Sequence, residues 1–464
     1  MMYVKRSSAI VLLVTAIGGL AVAGQQQTPP PSQQQREYEA TLTGKPGQPP
    51  RLAVPTFLAI TSDAETQAAA RTIAEVLHND FDFELEFALV ERNALGGIPV
   101  SANAADNQWD RWRETGADAL VVGTVEKTGT GAKVSVYLFR VDGGRQVFAK
   151  EYTSTSGRTP GIDARFFAHT IADEIHLAQR GLQGVARTKL TFSSNRDGER
   201  TATTYAQRNA QEIYVSDYDG ANQRRVTVNR NLNITPSWAP DAQAIAYTSF
   251  VAGYMDIRIS WIYKGILKLP AKGSYANQNS LPVFSSDGTR LAFSSNRDGN
   301  TEIYVMNVDG SGVRRLTNHR AIDTTPTWSP SGTHIAFVSE RGGNPNIWRI
   351  DAQGLEQPVK LTHESWVDRP TWSPPPLNEI AYTSRTGGAG FDIKVLDVAS
   401  GRIRAITTGE GSNESPAFSP TGRHIAFTTT RWGKTQIAVI GRNGGIARQI
   451  TRNGENKFPN WSRR

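Results

Sequence analysis

Cysteine is absent from the 464 residues of this chain. The fold therefore has no disulfide, the chemistry has no thiol nucleophile, and no lipid can be attached through a mature N-terminal cysteine. A G-x-S-x-G motif is also absent, so the serine nucleophile that this motif carries is excluded. The formal net charge is +8, but no basic run is longer than a pair such as Arg224-Arg225. A clustered cationic face for nucleic acid is therefore not predicted.

The first 23 residues have the pattern of a secretory signal peptide. A basic start (Lys5, Arg6) precedes an apolar stretch that ends in the small residues Ala21-Val-Ala23. This stretch is short for a membrane span, and an uncleaved anchor is the alternative. The Gln- and Pro-rich segment 24–36 cannot bury apolar area and is predicted to be a disordered linker. We therefore expect a soluble protein that is exported beyond the inner membrane.

Residues 37–182 are predicted to form a small α/β domain. The segment Ser62–Leu77 has helical apolar spacing and opens with a capping-box pattern, Ser62 and Glu65. A second helix is predicted over Asp163–Gln179, where apolar residues recur four apart. Apolar and β-branched runs predict strands at Arg51–Pro55, Ala119–Val125, Val134–Phe139 and around Val147-Phe148. This order of strand, helix, strands and helix indicates one small α/β domain ahead of the repeats.

The second half of the chain repeats one short sequence motif, a proline two residues before an aromatic residue. It occurs six times, 43 to 46 residues apart: Pro236-Ser-Trp238, Pro282-Val-Phe284, Pro326-Thr-Trp328, Pro370-Thr-Trp372, Pro416-Ala-Phe418 and Pro459-Asn-Trp461. Each repeat continues with a turn, a strand of the Ile-Ala-Phe type, a third strand and a hairpin turn such as Asp309-Gly310. Four strands in a repeat of this length are typical of a β-propeller blade.

The first repeat lacks its own proline strand. Thr188–Gly198 matches the second strand and turn at Thr289–Gly299, whereas the spare proline strand, Phe458–Trp461, stands at the C-terminus. We therefore predict six blades over residues 183–464, with the last strand completing the first blade so that no sheet edge is left open around the ring. The predicted fold class is an all-β six-bladed propeller preceded by a small α/β domain.

This organisation resembles the TolB family, the periplasmic component of the Tol-Pal envelope system. The most specific match is the segment Arg165–Ile175, which is similar to the family's Arg-x-x-Ala-His-x-x-Ala-Asp-x-Ile helix at the junction with the first blade. Gly116–Gly123 and the terminal Lys457–Ser462 also resemble family segments. The Gln- and Pro-rich tract before Arg36 is longer than the family's short N-terminal signalling segment, a departure from the pattern.

The resemblance implies a periplasmic, non-enzymatic and monomeric scaffold. Its implied partners are the peptidoglycan-associated lipoprotein Pal and the inner-membrane Tol proteins, with bacteriocin or phage proteins as further candidates. The implied role is maintenance of outer-membrane integrity and of its constriction at cell division. The protein is expected to be peripheral to the membrane and to need no cofactor.

The loops that lead to the prolines differ from blade to blade, as a rim for one asymmetric partner requires. The resemblance implies that Pal docks at such a channel mouth, and it assigns partner binding to Asn279, Ser280, Asp323, Thr324, Asp368, Arg369 and Asn413. The alternative is that any of these is a turn or strand-pairing residue. On the junction helix, His169 and Asp173 are expected to hold the interface between the domains rather than to catalyse a reaction.

The alternative function is a propeller enzyme such as a metal-dependent polysaccharide lyase. His319 and His363 follow Leu-Thr at nearby places in successive blades, where such lyases gather metal ligands. Two blades do not make a metal site, because a third ligand must converge on it. We therefore predict no metal and no catalytic residue.

Overall fold

The computed structural model describes residues 41, 42, 44, 47–129, 131–155, 162–201, 209–386 and 390–463. The predicted signal peptide at 1–23 and the linker at 24–36 lie outside this part of the chain. Within it, no helix combines the length and the apolar character needed to cross a membrane. The described residues form an α/β domain followed by a ring of six β-sheets.

The α/β domain is built on one mixed sheet. Its strands are β1 (Arg51–Ala53), β2 (Leu58–Ala59), β3 (Ala88–Leu89), β4 (Ala119–Thr128), β5 (Gly131–Arg140) and β6 (Gln146–Thr155); its helices are α1 (Ala64–Glu84), α2 (Trp109–Glu114) and α3 (Ala164–Arg180), with 3₁₀ turns at Arg92–Leu95, Ala104–Asp106 and Asp142–Gly144. The strand order is β3-β1-β4-β5-β6, and β2 also pairs with β4. The parallel part joins β1 to β3 and β4, whereas β4, β5 and β6 are antiparallel.

Strand β4 separates two apolar clusters because its side chains alternate between the faces of the sheet. Val121 and Val125 join the cluster that contains α1 and α3. Leu120 and Val122 join the cluster around Trp112 of α2. Both faces of the strand are therefore buried, as its continuous apolar sequence requires.

Helix α1 differs from its prediction at both ends. The N-cap is Asp63 rather than Ser62, because the Asp63 carboxylate accepts hydrogen bonds from the Thr66 amide at 3.0 Å and from its hydroxyl at 2.7 Å. The helix also continues beyond Leu77 to Glu84. Asp80, in these added turns, is buried and bonded to His169. The buried face continues in these turns through Phe81 and Phe83, beside the ion pair of Asp80 with His169.

The propeller consists of six four-stranded antiparallel sheets, numbered blades 1 to 6. Blade 1 has the order β30-β7-β8-β9, and blades 2 to 6 each take four consecutive strands from β10 onward. The strands are β7 (Lys189–Ser194), β8 (Glu212–Asp217), β9 (Arg224–Arg225), β10 (Asn233–Trp238), β11 (Ala244–Ser249), β12 (Asp256–Trp261), β13 (Ile266–Lys268), β14 (Asn279–Phe284), β15 (Arg290–Ser295), β16 (Glu302–Asn307), β17 (Arg314–Arg315), β18 (Asp323–Trp328), β19 (His334–Ser339), β20 (Asn346–Asp351), β21 (Val359–Lys360), β22 (Val367–Trp372), β23 (Glu379–Arg385), β24 (Phe391–Asp397), β25 (Ile403–Ala405), β26 (Asn413–Phe418), β27 (His424–Trp432), β28 (Lys434–Gly441), β29 (Gly444–Gln449) and β30 (Asn456–Trp461).

The C-terminal strand closes the ring, as the sequence predicts. Strand β30 pairs antiparallel with β7, placing Trp461 opposite Leu190 and Asn456 opposite Ser194. The Ser462 hydroxyl also accepts a hydrogen bond from the Lys189 amide at 2.8 Å. Blade 1 therefore depends on both ends of the propeller sequence.

The α/β domain packs on blades 6 and 1 at one end of the channel. Arg423 donates to Glu84 at 2.6 Å, His424 lies 3.0 Å from the carbonyl oxygen of Phe83, and Tyr218 donates to Asp80 at 2.6 Å. His424 begins β27 beside Phe418, where the inner strand of blade 6 ends. The loops that enter the inner strands consequently lie at the opposite end, which we call the distal mouth.

Candidate partner-binding mouth of the propeller channel

The first strand of each blade lines the central channel. These inner strands, β10, β14, β18, β22, β26 and β30, enclose a cavity of about 110 Å³ lined by the six prolines and the residues before them. A second cavity, of about 140 Å³, is lined by the aromatic residues and the turns after them. Because each strand begins at the distal mouth and ends at its aromatic residue, the first cavity is the nearer one to the distal mouth.

One residue in each inner strand has left-handed backbone geometry. It is the residue before the proline, with φ between +48° and +58°, in every blade: Thr235, Leu281, Thr325, Arg369, Ser415 and Phe458. The strand pairing shifts register at the same place in all six blades. Non-glycine residues rarely adopt this geometry, so backbone strain is concentrated in a ring of residues around the cavity. Sequence analysis missed this ring, because the residue before a proline is ordinarily expected in extended geometry with negative φ.

Three of the seven predicted partner-binding residues are buried in strands. Asn279, Asp323 and Asn413 each begin an inner strand and have no exposed surface. Asn279 donates to Asp256 at 3.0 Å and Asn413 donates to Asp392 at 3.1 Å, each across a blade boundary. The expectation that these three lie in exposed loops is therefore wrong. The polarity of the two asparagines satisfies buried hydrogen bonds between blades, which composition alone does not distinguish from loop polarity.

Asp323 has a different environment from the two asparagines. Its carboxylate forms an ion pair with Arg341 of the same blade. Burial, beside the carboxylate of Glu302 in blade 3, raises the pKa of Asp323 to about 6. The Asp323 carboxylate therefore lies inside the boundary between blades 3 and 4.

Ser280, Thr324 and Asp368 are partly exposed at the distal mouth. They are the second residues of their strands, and the equivalent positions in the other blades are Ile234, Glu414 and Lys457, all partly exposed. We call these six residues the mouth ring. Arg369 lies one residue deeper and lines the 110 Å³ cavity. The structure thus brings four of the seven predicted residues to one accessible surface, and it adds three that sequence analysis did not select.

His169 and Asp173 lie on α3, away from the mouth ring. His169 is 5 % exposed, and its Nδ1 lies 2.9 Å from Asp80. Burial alone lowers the pKa of His169, but the carboxylates of Asp217 and Asp80 outweigh this effect and raise the pKa to about 9. A protonated His169 therefore bridges α1 to the Asp217 end of β8.

Asp173 orders the connection from α3 to blade 1. Its carboxylate accepts hydrogen bonds from the Ala186 amide at 3.0 Å and the Arg187 amide at 3.3 Å. Arg187 also donates to it through Nε at 3.2 Å. The carboxylate is buried, and its contacts hold the chain just before β7 begins.

The two histidines considered as metal ligands have separate surroundings. The Nδ1 atom of His319 accepts a hydrogen bond from the Ala321 amide at 3.0 Å, and His363 is exposed. Within the described ranges, no group of three or more histidine or carboxylate side chains is placed to hold a metal ion.

Fold and site together define a two-domain β-propeller protein with a small polar channel mouth. The chain belongs to the TolB family: the family model of the TolB beta propeller domain matches residues 179–464 and that of the TolB amino-terminal domain matches residues 40–147. Of the segments quoted for the resemblance, Gly116–Gly123 lies in the amino-terminal match and Lys457–Ser462 in the propeller match, whereas Arg165–Ile175 lies between the two matched regions.

Curated relatives carry the name Tol-Pal system protein TolB. That of Anaeromyxobacter dehalogenans (strain 2CP-C) is 31% identical over 268 residues, which are 58% of this chain and 57% of the relative. That of Desulfosudis oleivorans is 33% identical over 279 residues, 57% of each protein. The chain thus spans less than two thirds of the length of these relatives. The crystal structure of TolB from Acinetobacter baumannii has a TM-score of 0.73 at 24% identity, covering 90% of this chain and 97% of that one, which shows the shared fold.

Proposed function

We propose that this protein is a non-enzymatic periplasmic scaffold of the Tol-Pal system whose distal mouth binds the peptidoglycan-associated lipoprotein Pal. The observation that supports this most is the mouth ring, in which six equivalent positions carry six different side chains. A ring of identical blades would present the same group six times. Different groups around one opening suit a single asymmetric partner.

The position of the α/β domain favours the distal mouth over the other one. The domain contacts blades 6 and 1 at the opposite end of the channel, through Glu84 and Asp80 among others. A partner at the distal mouth leaves these contacts intact. We infer that the protein links Pal to inner-membrane Tol proteins and so supports outer-membrane integrity and its constriction at division.

Titration calorimetry of the purified full chain against the Pal domain of the same organism tests the proposal. Ser280→Trp and Thr324→Trp are each expected to weaken binding by about tenfold or more, because a bulky side chain in a narrow mouth cannot relax away from the partner. Asp368→Lys is expected to change mainly the association rate and its salt dependence, since it is a rim charge.

The matched control is Ser286→Trp, which adds the same bulk at the other end of the channel. It is expected to leave Pal binding unchanged. Loss of binding in Ser286→Trp with wild-type affinity in Thr324→Trp would transfer the partner site to the other mouth. Wild-type affinity in all variants would exclude the channel as the Pal site.

A further inference from the structure

A groove separates the outer strands of blades 1 and 2, and its lining includes none of the mouth-ring residues. It encloses about 440 Å³, and its apolar lining includes Val226, Val228, Trp261, Ile262, Ile266 and Leu267. The hydroxyl groups of Tyr247 and Ser260 also line it and lie 3.3 Å from each other. The groove is therefore concave and largely apolar, with a small polar patch.

Blade 2 departs from the other blades in the outer hairpin that borders this groove. Blade 3 connects its last two strands through Asn307-Val-Asp-Gly310, whereas blade 2 uses Trp261-Ile-Tyr-Lys-Gly265. The following strand, β13, is exposed along its whole length, with Ile266 and Leu267 each 46% exposed and Tyr263 in the turn 52% exposed. Adjacent exposed apolar side chains around a groove are typical of a surface that binds a partner.

The groove is bordered by positive charge without matching negative charge. Arg224 and Arg258 line it, and Lys264 lies in the hairpin turn. Among the described residues, none of these three forms an ion pair with a carboxylate. By contrast, the neighbouring Arg225 pairs with Asp197 at 3.0 Å and with Glu212 at 3.0 Å. The complementary charge is therefore expected on a partner.

Two of the basic side chains near the groove are held over aromatic rings. The Arg224 guanidinium lies 5.6 Å from the ring centroid of Tyr263, and the Lys268 ammonium lies 5.1 Å from that of Trp261. Such contacts orient the cations along the apolar surface while leaving their charge available. Lys268 is less available than Arg224 to a carboxylate of a partner, because it also attracts Asp309 of blade 3.

The edge of blade 2 offers backbone groups as well as side chains. Strand β13 pairs with β12 on one side only, from Ile266 opposite Trp261 to Lys268 opposite Ile259. Among the described residues, no strand pairs with its other side. An exposed strand edge beside a concave apolar groove fits an extended polypeptide, whereas a membrane surface is flat and brings no amide groups.

We propose that the groove between blades 1 and 2 binds an extended acidic segment of a partner protein, in which aliphatic side chains alternate with carboxylates. Its aliphatic side chains pack against Leu267, which is paired with the groove residue Ser260, and its carboxylates face Arg224 and Arg258. Alternate side chains of an extended chain point to opposite sides, so one segment can meet both surfaces. This site does not depend on partner binding at the distal mouth.

Fluorescence polarisation of a labelled peptide tests the proposal on the purified full chain. The probe is a short peptide in which Asp or Glu alternates with Val or Leu, and a second probe replaces each acid with Lys. The acidic peptide is expected to bind saturably, and the Lys peptide is expected to bind at least about tenfold more weakly. Equal binding of both peptides, or no saturable binding of the acidic one, would overturn the proposal.

Surface variants locate the site. A double variant, Arg224→Glu with Arg258→Glu, is expected to weaken binding of the acidic peptide by about tenfold. The single variant Leu267→Asp is expected to weaken it by a similar factor. The matched controls are Arg402→Glu and Ile446→Asp, which change an exposed cation and an exposed aliphatic residue in blades 5 and 6. The controls are expected to retain wild-type affinity, and equal weakening in controls and groove variants would contradict the assignment.

Anionic vesicles distinguish a membrane from a peptide partner. The chain is mixed with vesicles of phosphatidylglycerol and phosphatidylethanolamine, with and without excess acidic peptide. Little vesicle binding is expected. Vesicle binding that Arg224→Glu with Arg258→Glu abolishes, together with no peptide binding, would instead make the groove a lipid-binding surface. Thermal melting of each variant checks that the propeller remains folded.

Discussion

The guanidinium of Arg369 lies over the ring of Phe458, with its carbon 4.7 Å from the ring centroid. Arg369 belongs to blade 5 and Phe458 to blade 1, and blade 6 stands between them, so the contact crosses the channel rather than joining adjacent strands. Both residues belong to the ring with left-handed geometry. The carboxylate of Asp368 lies 3.7 Å from Arg369 Nε and partly neutralises the charge of the guanidinium.

A double-mutant cycle measures this contact. Arg369→Met and Phe458→Leu each remove one partner while keeping an apolar side chain in the channel. We expect a coupling free energy of about 1–2 kcal/mol, because the pair lies within the channel, where water screens it less than at the surface. Urea unfolding of the four proteins gives this value. Additive effects of the two substitutions on the free energy of unfolding would mean that the contact does not stabilise the protein.

A second relationship between blades concerns the first residue of each inner strand. In four blades this residue is an asparagine that donates to a side chain within the first three residues of the third strand of the preceding blade: Asn233 to Glu212, Asn279 to Asp256, Asn413 to Asp392 and Asn456 to Gln436. Asp323 occupies the same position beside Glu302 and cannot donate when ionised. Two carboxylates therefore meet at the boundary between blades 3 and 4.

Asp323→Asn is expected to stabilise the protein at neutral pH. The amide keeps an acceptor for Arg341 and supplies donors for Glu302, as Asn279 does for Asp256. Because folding raises the pKa of Asp323 from 3.8 to about 6, the wild type loses stability as the pH rises through this interval. The gain should thus be about 1–3 kcal/mol at pH 7 and should vanish near pH 4. Urea unfolding at both pH values measures it.

The reverse substitution at the equivalent position of blade 3 is the matched control. Asn279→Asp places a carboxylate beside Asp256 and removes the 3.0 Å hydrogen bond between them. It is expected to destabilise the protein by about 1–3 kcal/mol at pH 7. Stabilisation by Asn279→Asp, or destabilisation by Asp323→Asn, would show that the blade boundaries are not equivalent.

The interface between the domains predicts a loss of stability at alkaline pH. His169 has an ordinary pKa of 6.5 that folding raises to about 9. Its contribution is therefore fully present below pH 6.5 and is lost as the pH rises through about 9, an effect on the order of 3 kcal/mol. Unfolding free energies of the wild type should fall across this interval, and those of His169→Gln should fall less. The control His363→Gln changes an exposed histidine and should follow the wild type.

Repetition made most of the fold predictable from the sequence. The count of the repeats predicts the blade number, and the missing first strand with the spare last one predicts the closure. Helix α1 was predicted to end at Leu77, whereas it continues to Glu84 with Phe81 buried and Asp80 bonded to His169 of α3. Pairing between residues distant in sequence cannot be derived from local spacing.

The candidate site was predictable only in part. Composition placed Asn279, Asp323 and Asn413 in loops, although they are the buried starts of strands. The same polarity serves an exposed loop and a buried hydrogen bond between blades, and only the packing of neighbouring sheets separates the two. Arg369 and Phe458 could not be paired from sequence, because their contact depends on the curvature of the closed ring.

The closure of the ring gives the last prediction, which concerns Trp461. This side chain is 6% exposed, and its indole nitrogen donates to the Thr188 hydroxyl at 2.7 Å. It also belongs to the apolar cluster that contains Phe83 of α1 and Tyr218 of blade 1. Trp461→Ala should therefore destabilise both blade 1 and its contact with the α/β domain, by about 3–5 kcal/mol. Trp461→Phe keeps most of the apolar area and loses the hydrogen bond, so it should cost about 1–2 kcal/mol.

The matched control is Trp432→Ala, which should cost much less because Trp432 is 39% exposed at the end of β27. Urea unfolding with a single transition is expected for all three variants. Wild-type stability in Trp461→Ala would mean that β30 does not hold the ring closed.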